Sequence, residues 1–300
     1  MNLRSELSVG LWEWLPRGCA LTVQTALVAL LALTSSVSAT GSDLIELVTN
    51  AQPQCVFGAG DQRFFITWRN SGQASATEEV RGILFQTTTA TAVRIGTLAS
   101  KTVAVLPGQT VLNSVRADFP QVKAESKFLI EWVSDTNRIL GKTEILVYPT
   151  NLLAELKPLL SGETLGVLDP TDQLKPLLKR NGVELVDLSE RTLAEFSGKL
   201  AILGPFASKT QRPDDLAKSA KAMAKNGSAV LWFDPPPSAQ DGLKPSFYSV
   251  SAGAKTVVVA NADLVAELQE NPRSQKQLLA LCRMAINPQT PGLPGEESLP

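Results

Sequence analysis

The chain changes its hydrophobic period once. Between residues 43 and 149 apolar positions gather in short segments: LIELV (44–48), RFFITWR (63–69), EVRGILFQ (79–86), AVRIGTL (92–98), TVLNSVRA (110–117), KFLIEWV (127–133) and RILGKTEILVY (138–148). Turn residues separate them, among them Asn70-Ser71-Gly72, Pro107-Gly108 and Asp135-Thr136-Asn137. About seven such segments with no helical periodicity predict an antiparallel β-sandwich. In RFFITWR the residues Phe64, Ile66 and Trp68 share one strand face, which sends Trp68 into the core. On the surface, Trp68 or Trp132 would instead be an aromatic platform for a sugar.

At Tyr148-Pro149-Thr150 the pattern becomes an alternation of helix and strand. LLAELKPLL puts Leu152, Leu153, Leu156, Leu159 and Leu160 on one helical face. There follow strand LGVLD (165–169), helix TDQLKPLLKRNG, strand ELVDL (184–188), a short helix TLAEFSG and strand KLAILG (199–204). Then come helix PDDLAKSAKAMAKNG, strands SAVLWFD (228–234) and TVVVAN (256–261), and helices from Ala262 to Ile286. Pro213 is placed to open its helix, with Asp214 and Asp215 in the positive first turn, and Asn226-Gly227 to close it. Strands that are apolar throughout indicate a parallel sheet covered on both faces. The expectation for 150–287 is a flavodoxin-like three-layer α/β domain of strand order 2-1-3-4-5, giving a multi-domain α+β chain. The Pro- and Gly-rich tail, 288–300, has the composition of a disordered segment.

The first 39 residues carry Arg4 and Arg17 ahead of the apolar run CALTVQTALVALLAL, and Val37-Ser38-Ala39 supplies small residues at a cleavage site. That is the signature of a signal peptide cut after Ala39, hence of an exported protein. If it stays uncut, the same run is a membrane anchor, short for a bilayer span. Cleavage leaves Cys55 and Cys282. An exported protein permits a disulfide between them, while the face shared by Cys282, Leu278 and Ala285 favours a buried thiol.

Charge and composition narrow the chemistry. A formal net charge of −1 gives no field suited to nucleic acid. The absence of histidine excludes Ser-His-Asp and Cys-His catalysis and the H-E-x-x-H zinc site. No G-x-G-x-x-G or G-x-x-x-x-G-K-[ST] follows a strand, so no nucleotide cofactor is expected. Lys218, Lys221 and Lys225 have the spacing of a solvated helix face.

Two resemblances add to these readings. ITWRNSGQASATEEVRGILF and VLPGQTVLNSVRADFP resemble the CARDB family of Ig-like extracellular domains, with its strand-then-Asn-x-Gly turn and L-x-P-G-Q signature. That resemblance spans roughly a hundred residues and implies an Ig-like spacer or adhesion module with no catalytic residues. KLAILGPF, PDDLAKSAKAMAKNGSAVLWFD and VVVANADLVAELQENPRSQKQLLALCRMAINP resemble the class I glutamine amidotransferase-like fold, closest to the non-catalytic versions attached to glycoside hydrolases. Enzymes of that family carry a Cys on a G-x-C-x-G elbow and a His-Glu pair. Neither is present, so the family's catalytic residues transfer to no position of this chain.

Open parallel sheets bind ligands beyond the carboxyl ends of their strands. Here those ends carry Asp169 and Thr171 after the first strand, Gly204 to Ser208 after the third, and Asp234 after the fourth. Convergent carboxylates would hold a divalent cation and support a metal-assisted hydrolase built on Asp169 and Asp234. The competing reading gives Asp169-Pro170-Thr171-Asp172 to helix capping and Asp234-Pro235-Pro236-Pro237 to a rigid turn. The leading expectation is a non-catalytic binding or scaffolding protein of the cell envelope. Its partner would be a carbohydrate or an envelope protein, with contact to a membrane only through an uncleaved leader.

Overall fold

The computed structural model describes residues 45–234, 247–252 and 255–288. The expected leader at 1–39, Pro235 to Pro237 and the tail beyond Pro288 lie outside the described residues. The architecture is mixed α/β, built on three sheets. Among the described residues no helix is long and apolar enough to cross a membrane.

The first unit contains β1 (Ile45–Val48), β2 (Gln54–Phe57), β3 (Gly60–Asn70), β4 (Ala76–Thr87), β5 (Ala92–Thr97), β6 (Lys101–Val105), β7 (Thr110–Phe119), β8 (Ser126–Ser134) and β9 (Ile139–Tyr148). One sheet has the order β1-β3-β7, and the other β2-β9-β8-β4-β5, with β6 paired to the first half of β4. Inward residues from both sheets form a single cluster. Trp68 meets Trp132 edge to face at 6.0 Å, and Phe119 meets Phe128 at 5.5 Å, the arrangement that aromatic quadrupoles favour. Trp68 is fully buried and Trp132 is 3% exposed, so neither ring is an exposed sugar platform.

Two corrections follow. There are nine strands where about seven were expected, because β2 and β6 are only four and five residues long and sit among polar residues. The unit is also not wholly antiparallel, since β2 pairs in parallel with β9, Val56 opposite Val147.

The second unit contains α1 (Leu156–Leu160), β10 (Leu165–Leu168), α2 (Leu174–Arg180), β11 (Val186–Asp187), β12 (Leu200–Leu203), α3 (Leu216–Lys225), β13 (Ala229–Asp234), β14 (Phe247–Ala252), β15 (Lys255–Asn261), α4 (Asp263–Glu267) and α5 (Pro272–Ile286). Its sheet runs β11-β10-β12-β13-β15-β14. The five parallel strands thus take the expected order 2-1-3-4-5, and β14 adds an antiparallel edge that the sequence reading missed. Alternate side chains supply two cores. Leu165, Val167, Ile202, Leu231 and Val258 pack with α1, α2 and α5, while Ala201, Leu203, Val230 and Val257 pack with α3. Burial on both faces is why these strands lack polar alternation.

Local punctuation departs from expectation at three places. The expected helix at 192–198 is only a 3-10 turn, Leu193–Glu195. The segment 152–160 divides into a 3-10 turn, Leu152–Glu155, and α1. Helix α3 begins at Leu216 rather than Pro213, leaving Asp214 outside it and Asp215 as its N-cap residue without a side-chain bond. Its far end behaves as predicted. Gly227 has φ +97°, and the pair Ser228 N–H to Met223 O (3.0 Å) and Gly227 N–H to Ala224 O (3.3 Å) is a Schellman closure. Lys218, Lys221 and Lys225 are all exposed on α3.

The units share apolar structure. In β9, Ile145 and Val147 belong to the core between the first unit's sheets, whereas Leu146 and Tyr148 pack into the core beneath α5. In β2, Val56 faces the first core, and Cys55 and Phe57 face the second. Polar contacts lock the same seam. The Arg273 guanidinium donates to Gln52 Oε1 at 2.6 Å and Pro53 O at 2.8 Å. Lys276 pairs with Glu125 at 2.7 Å and lies 5.2 Å from the Tyr148 ring centroid. Burial, reinforced by Cys55 and Glu125 nearby, holds the Tyr148 phenol well above its ordinary range. Both thiols are free. Cys282 is fully buried in the α5 core, which pushes its pKa up to about 12.

Because the two units share the buried strands β2 and β9, they should unfold together as one cooperative body rather than separately. Urea unfolding of the full chain followed by tryptophan fluorescence and by far-UV circular dichroism should give coincident transitions; two separated midpoints would contradict this. Tyr148→Ala should lower the common stability by roughly 3–5 kcal/mol, the range for emptying a buried aromatic position.

Candidate functional site

The carboxyl ends of β10, β12 and β13 form adjacent positions along one sheet edge. Each of the five expected site residues lies there, but the edge resolves into separate local networks. Asp169 leaves β10 and is 2% exposed. Its Oδ2 accepts from Leu174 N–H at 2.7 Å and Lys175 N–H at 2.9 Å, and its Oδ1 accepts from the Thr171 hydroxyl at 3.1 Å. The donors are first-turn amides of α2, groups with no partner inside their own helix. The N-cap residue itself, Gln173, makes no side-chain bond, so Asp169 caps α2 from the strand end.

Gly204 closes β12. Its N–H donates to Leu168 O at 2.8 Å, tying the ends of β10 and β12 together. Its φ is +94°, and a Cβ there would fall 2.7 Å from Phe233 O, so the turn needs glycine for both conformation and space. Ser208 is exposed, and its hydroxyl is engaged with Thr210 Oγ1 at 2.7 Å.

Asp234, at the end of β13, forms an ion pair with Arg212 at 3.0 Å. The Arg212 guanidinium also lies 5.5 Å from the Trp232 ring centroid. This Arg212–Trp232–Asp234 group was not anticipated. The available signal was the i, i+2 placement of Trp232 and Asp234 on one strand face, beside a lone arginine entering α3. With β12 between them, the β10 and β13 backbones stand about 10 Å apart, two interstrand spacings. Asp169 and Asp234 therefore serve different partners, and among the described residues no group of three metal-ligating side chains converges. The capping reading describes Asp169; at Asp234 the partner is an arginine.

A second ion pair lies beside the edge. Lys175 in α2 reaches Asp187 of β11 at 2.8 Å, with Asp172 at 4.0 Å. Hydrogen bonds from Lys175 and from Ser189 hold the Asp187 carboxyl well below the usual carboxylate range, and the bond to Asp187 raises Lys175.

No protein-family model and no curated protein matches the chain. Similar solved structures include the β-glucosidase from Listeria innocua in complex with glucose, 14% identical, over 35% of this chain and 16% of that one, at a TM-score of 0.27. The β-glucosidase from Kluyveromyces marxianus is 13% identical, over 36% of this chain and 14% of that one, at 0.26. The alkylpurine DNA glycosylase AlkC from Pseudomonas fluorescens, bound to DNA containing an abasic site analog, is 8% identical, over 34% of this chain and 30% of that one, at 0.27. The chain thus spans well under two thirds of each of these proteins, and likenesses this slight carry no argument about fold or activity.

Because Asp169 is buried and bonded to α2, Asp169→Ala should cost about 1–3 kcal/mol by leaving two amides and a hydroxyl unpaired. Asp169→Asn, which keeps an acceptor, should cost less. Gly204→Ala should cost roughly 2–4 kcal/mol from positive φ and overpacking together. Equilibrium denaturation reads all three.

Asp187 has a folded pKa below its unfolded value, so its contribution is complete above that unfolded value, 3.8, and is lost as pH falls from there. In acid titrations of stability, Asp187→Asn should therefore be less stable at neutral pH and show a shallower decline below pH 3.8. Equal slopes would refute this role for the pair.

Proposed function

We propose that the chain is an exported, non-catalytic binding or scaffolding protein of the cell envelope. In this reading an Ig-like sandwich is docked on a flavodoxin-like domain that lacks its family's catalytic residues. The arrangement β1-β3-β7 against β9-β8-β4-β5 supports the first assignment, since it matches an A-B-E sheet facing G-F-C-C′. The order 2-1-3-4-5 supports the second. Export rests on the charged, apolar and small-residue segments of 1–39.

The observation that carries the non-catalytic reading is the commitment of the strand-end carboxylates. Asp169 is consumed by two backbone amides and a hydroxyl, and Asp234 is paired through Oδ1 with a guanidinium. A general base or metal ligand needs a lone pair directed at substrate or ion. Asp169 turns its pairs inward to α2, where they stabilise the protein. The partner would be recognised by surfaces rather than by chemistry, and a carbohydrate or another envelope protein fits that role by analogy.

Thermal unfolding of the full chain, with chelator and across a panel of divalent ions and oligosaccharides, tests the reading, because a ligand specific to the native state raises Tm with its concentration. A rise with saccharide but none with metal is expected. A metal-dependent rise that the Asp169→Asn, Asp234→Asn double variant loses would overturn the reading in favour of the carboxylate-dependent hydrolase.

A further inference from the structure

The sheet of the second unit ends on one side in β14, which pairs only with β15. The backbone groups it leaves over follow from the next pairing inward. Ala262 N–H donates to Asp234 O at 2.9 Å, so the even-numbered residues along β15 turn their backbone groups towards β13. The odd-numbered ones turn to β14, where the unbroken register sets Val257 against Val250 and Val259 against Tyr248. In β14, therefore, Tyr248, Val250 and Ala252 spend their N–H and C=O groups on β15. Phe247, Ser249 and Ser251 direct theirs outward, where no strand among the described residues receives them.

Native sheets blunt such edges with charge, proline, irregularity or brevity. Strand β1 is four residues long and carries Glu46, and β11 is two residues long. Strand β7 carries Arg116 and Asp118, while β5 carries Arg94 and meets a register break against β4. Strand β14 has none of these devices: FYSVSA is uncharged, contains no proline and pairs without a bulge. It also exposes apolar side chains, Tyr248 at 50% and Val250 at 40%. Both lie on the sheet face that buries their register partners Val259 and Val257.

We propose that β14 is a self-association edge, occupied by β14 of a second copy of this chain, antiparallel and centred on Ser249. The outward set Phe247, Ser249 and Ser251 is symmetric about its middle member. A two-fold axis at Ser249 therefore makes the two Ser249 residues a hydrogen-bonded pair and sets each Phe247 opposite Ser251 of the second copy. The same register brings each exposed Tyr248 opposite the exposed Val250 of the second copy. An aromatic ring against a β-branched side chain is a favourable cross-strand pair, and pairs at these non-hydrogen-bonded positions stand closest. No charge meets its like along the strand, because the strand carries none. The two six-stranded sheets become one, and the apolar face of Val257 and Val259 continues across the join. A strand from a different protein would have to reproduce this pattern, whereas a second copy has it by symmetry. The proposal goes beyond the binding reading above and does not depend on it.

Sedimentation velocity of the full chain over a concentration series is the test, and wild type should show a concentration-dependent dimer. Ser249→Pro removes an outward N–H from each strand and none that bonds β15, a place where an edge strand tolerates proline. It should weaken dimerisation about thirtyfold, the scale of two hydrogen bonds. Val250→Lys, at an exposed position, should weaken it at least as much by placing an ammonium group opposite Tyr248 of the second copy. The register has its own readout. Paired Ser249 Cα atoms would stand about 5.5 Å apart, within disulfide range, so Ser249→Cys should cross-link two chains on oxidation with diamide. Wild type, which keeps Cys55, is the control for that arm. A monomeric wild type, a dimer undiminished by either Ser249→Pro or Val250→Lys, or a Ser249→Cys chain that cross-links no more than wild type would each overturn the proposal.

Discussion

A short parallel pairing, β2 against the end of β9, serves two hydrophobic cores at once, and the rest of the molecule is arranged around that demand. In β2 and β9, side chains on one face complete the core between the two sheets, and those on the other complete the core under α5. Neither core closes without the pair. The strands must be apolar on both faces, as in a buried parallel sheet, although they belong to a unit whose other strands alternate. The polar seam of Arg273, Lys276, Glu125 and Tyr148 then fixes the register between the units, with charged groups bonded at the margin of an apolar contact. A surface ion pair alone would contribute little; beside a shared core it selects one docking geometry.

That constraint also shows what was readable in advance. The change of period at Tyr148 was plain, because strand and helix put apolar residues at different spacings. The parallel order was legible because the central strands LGVL, LAIL and AVLWF are apolar throughout and the segments between strands are long enough to cross over. The sharing of β9 between cores was also written in the sequence, in the unalternating run Ile145-Leu146-Val147-Tyr148, but it reads only as a well-made strand until its second face has a neighbour. Strand β2, Gln54–Phe57, was not readable, because four residues give too short a sample of any period and its pairing is wholly non-local. Strand β14 is an edge strand whose Tyr248, Ser249 and Val250 are all exposed, so burial imposes little apolar pattern on it.

The candidate site divides in the same way. Residue type and position located Asp169, Gly204 and Asp234 at the strand ends, but composition does not reveal which way a carboxylate points. At Asp169 the decision is made by α2, whose first amides lie within 2.7–2.9 Å of Oδ2 and have no nearer acceptor because Gln173 does not cap. At Asp234 it is made by Arg212, brought close by the turn before α3. Carboxylates at a sheet edge are thus ambiguous in sequence for a physical reason: helix N-termini, guanidinium groups and metal ions all recruit the same oxygen lone pairs.

The polar groups of the strand-end edge are spent unequally. Asp169 is buried and bonded to α2 and Thr171, so a ligand there would have to compete with the fold itself, whereas Asp234 pairs with Arg212 through Oδ1 alone and Ser208 lies exposed beside Thr210. Between the two sheets the space is taken up by the core: Trp68 is fully buried, Val80 and Trp132 nearly so, and they pack with Val56, Ile145 and Val147 of the shared strands. The β2–β9 flank cannot open, because it is occupied by the second unit. The flank of β5, β6 and β7 carries no such load. The asymmetry follows from topology: one edge of the sandwich is given to the second unit, and the other has no neighbour among the described residues.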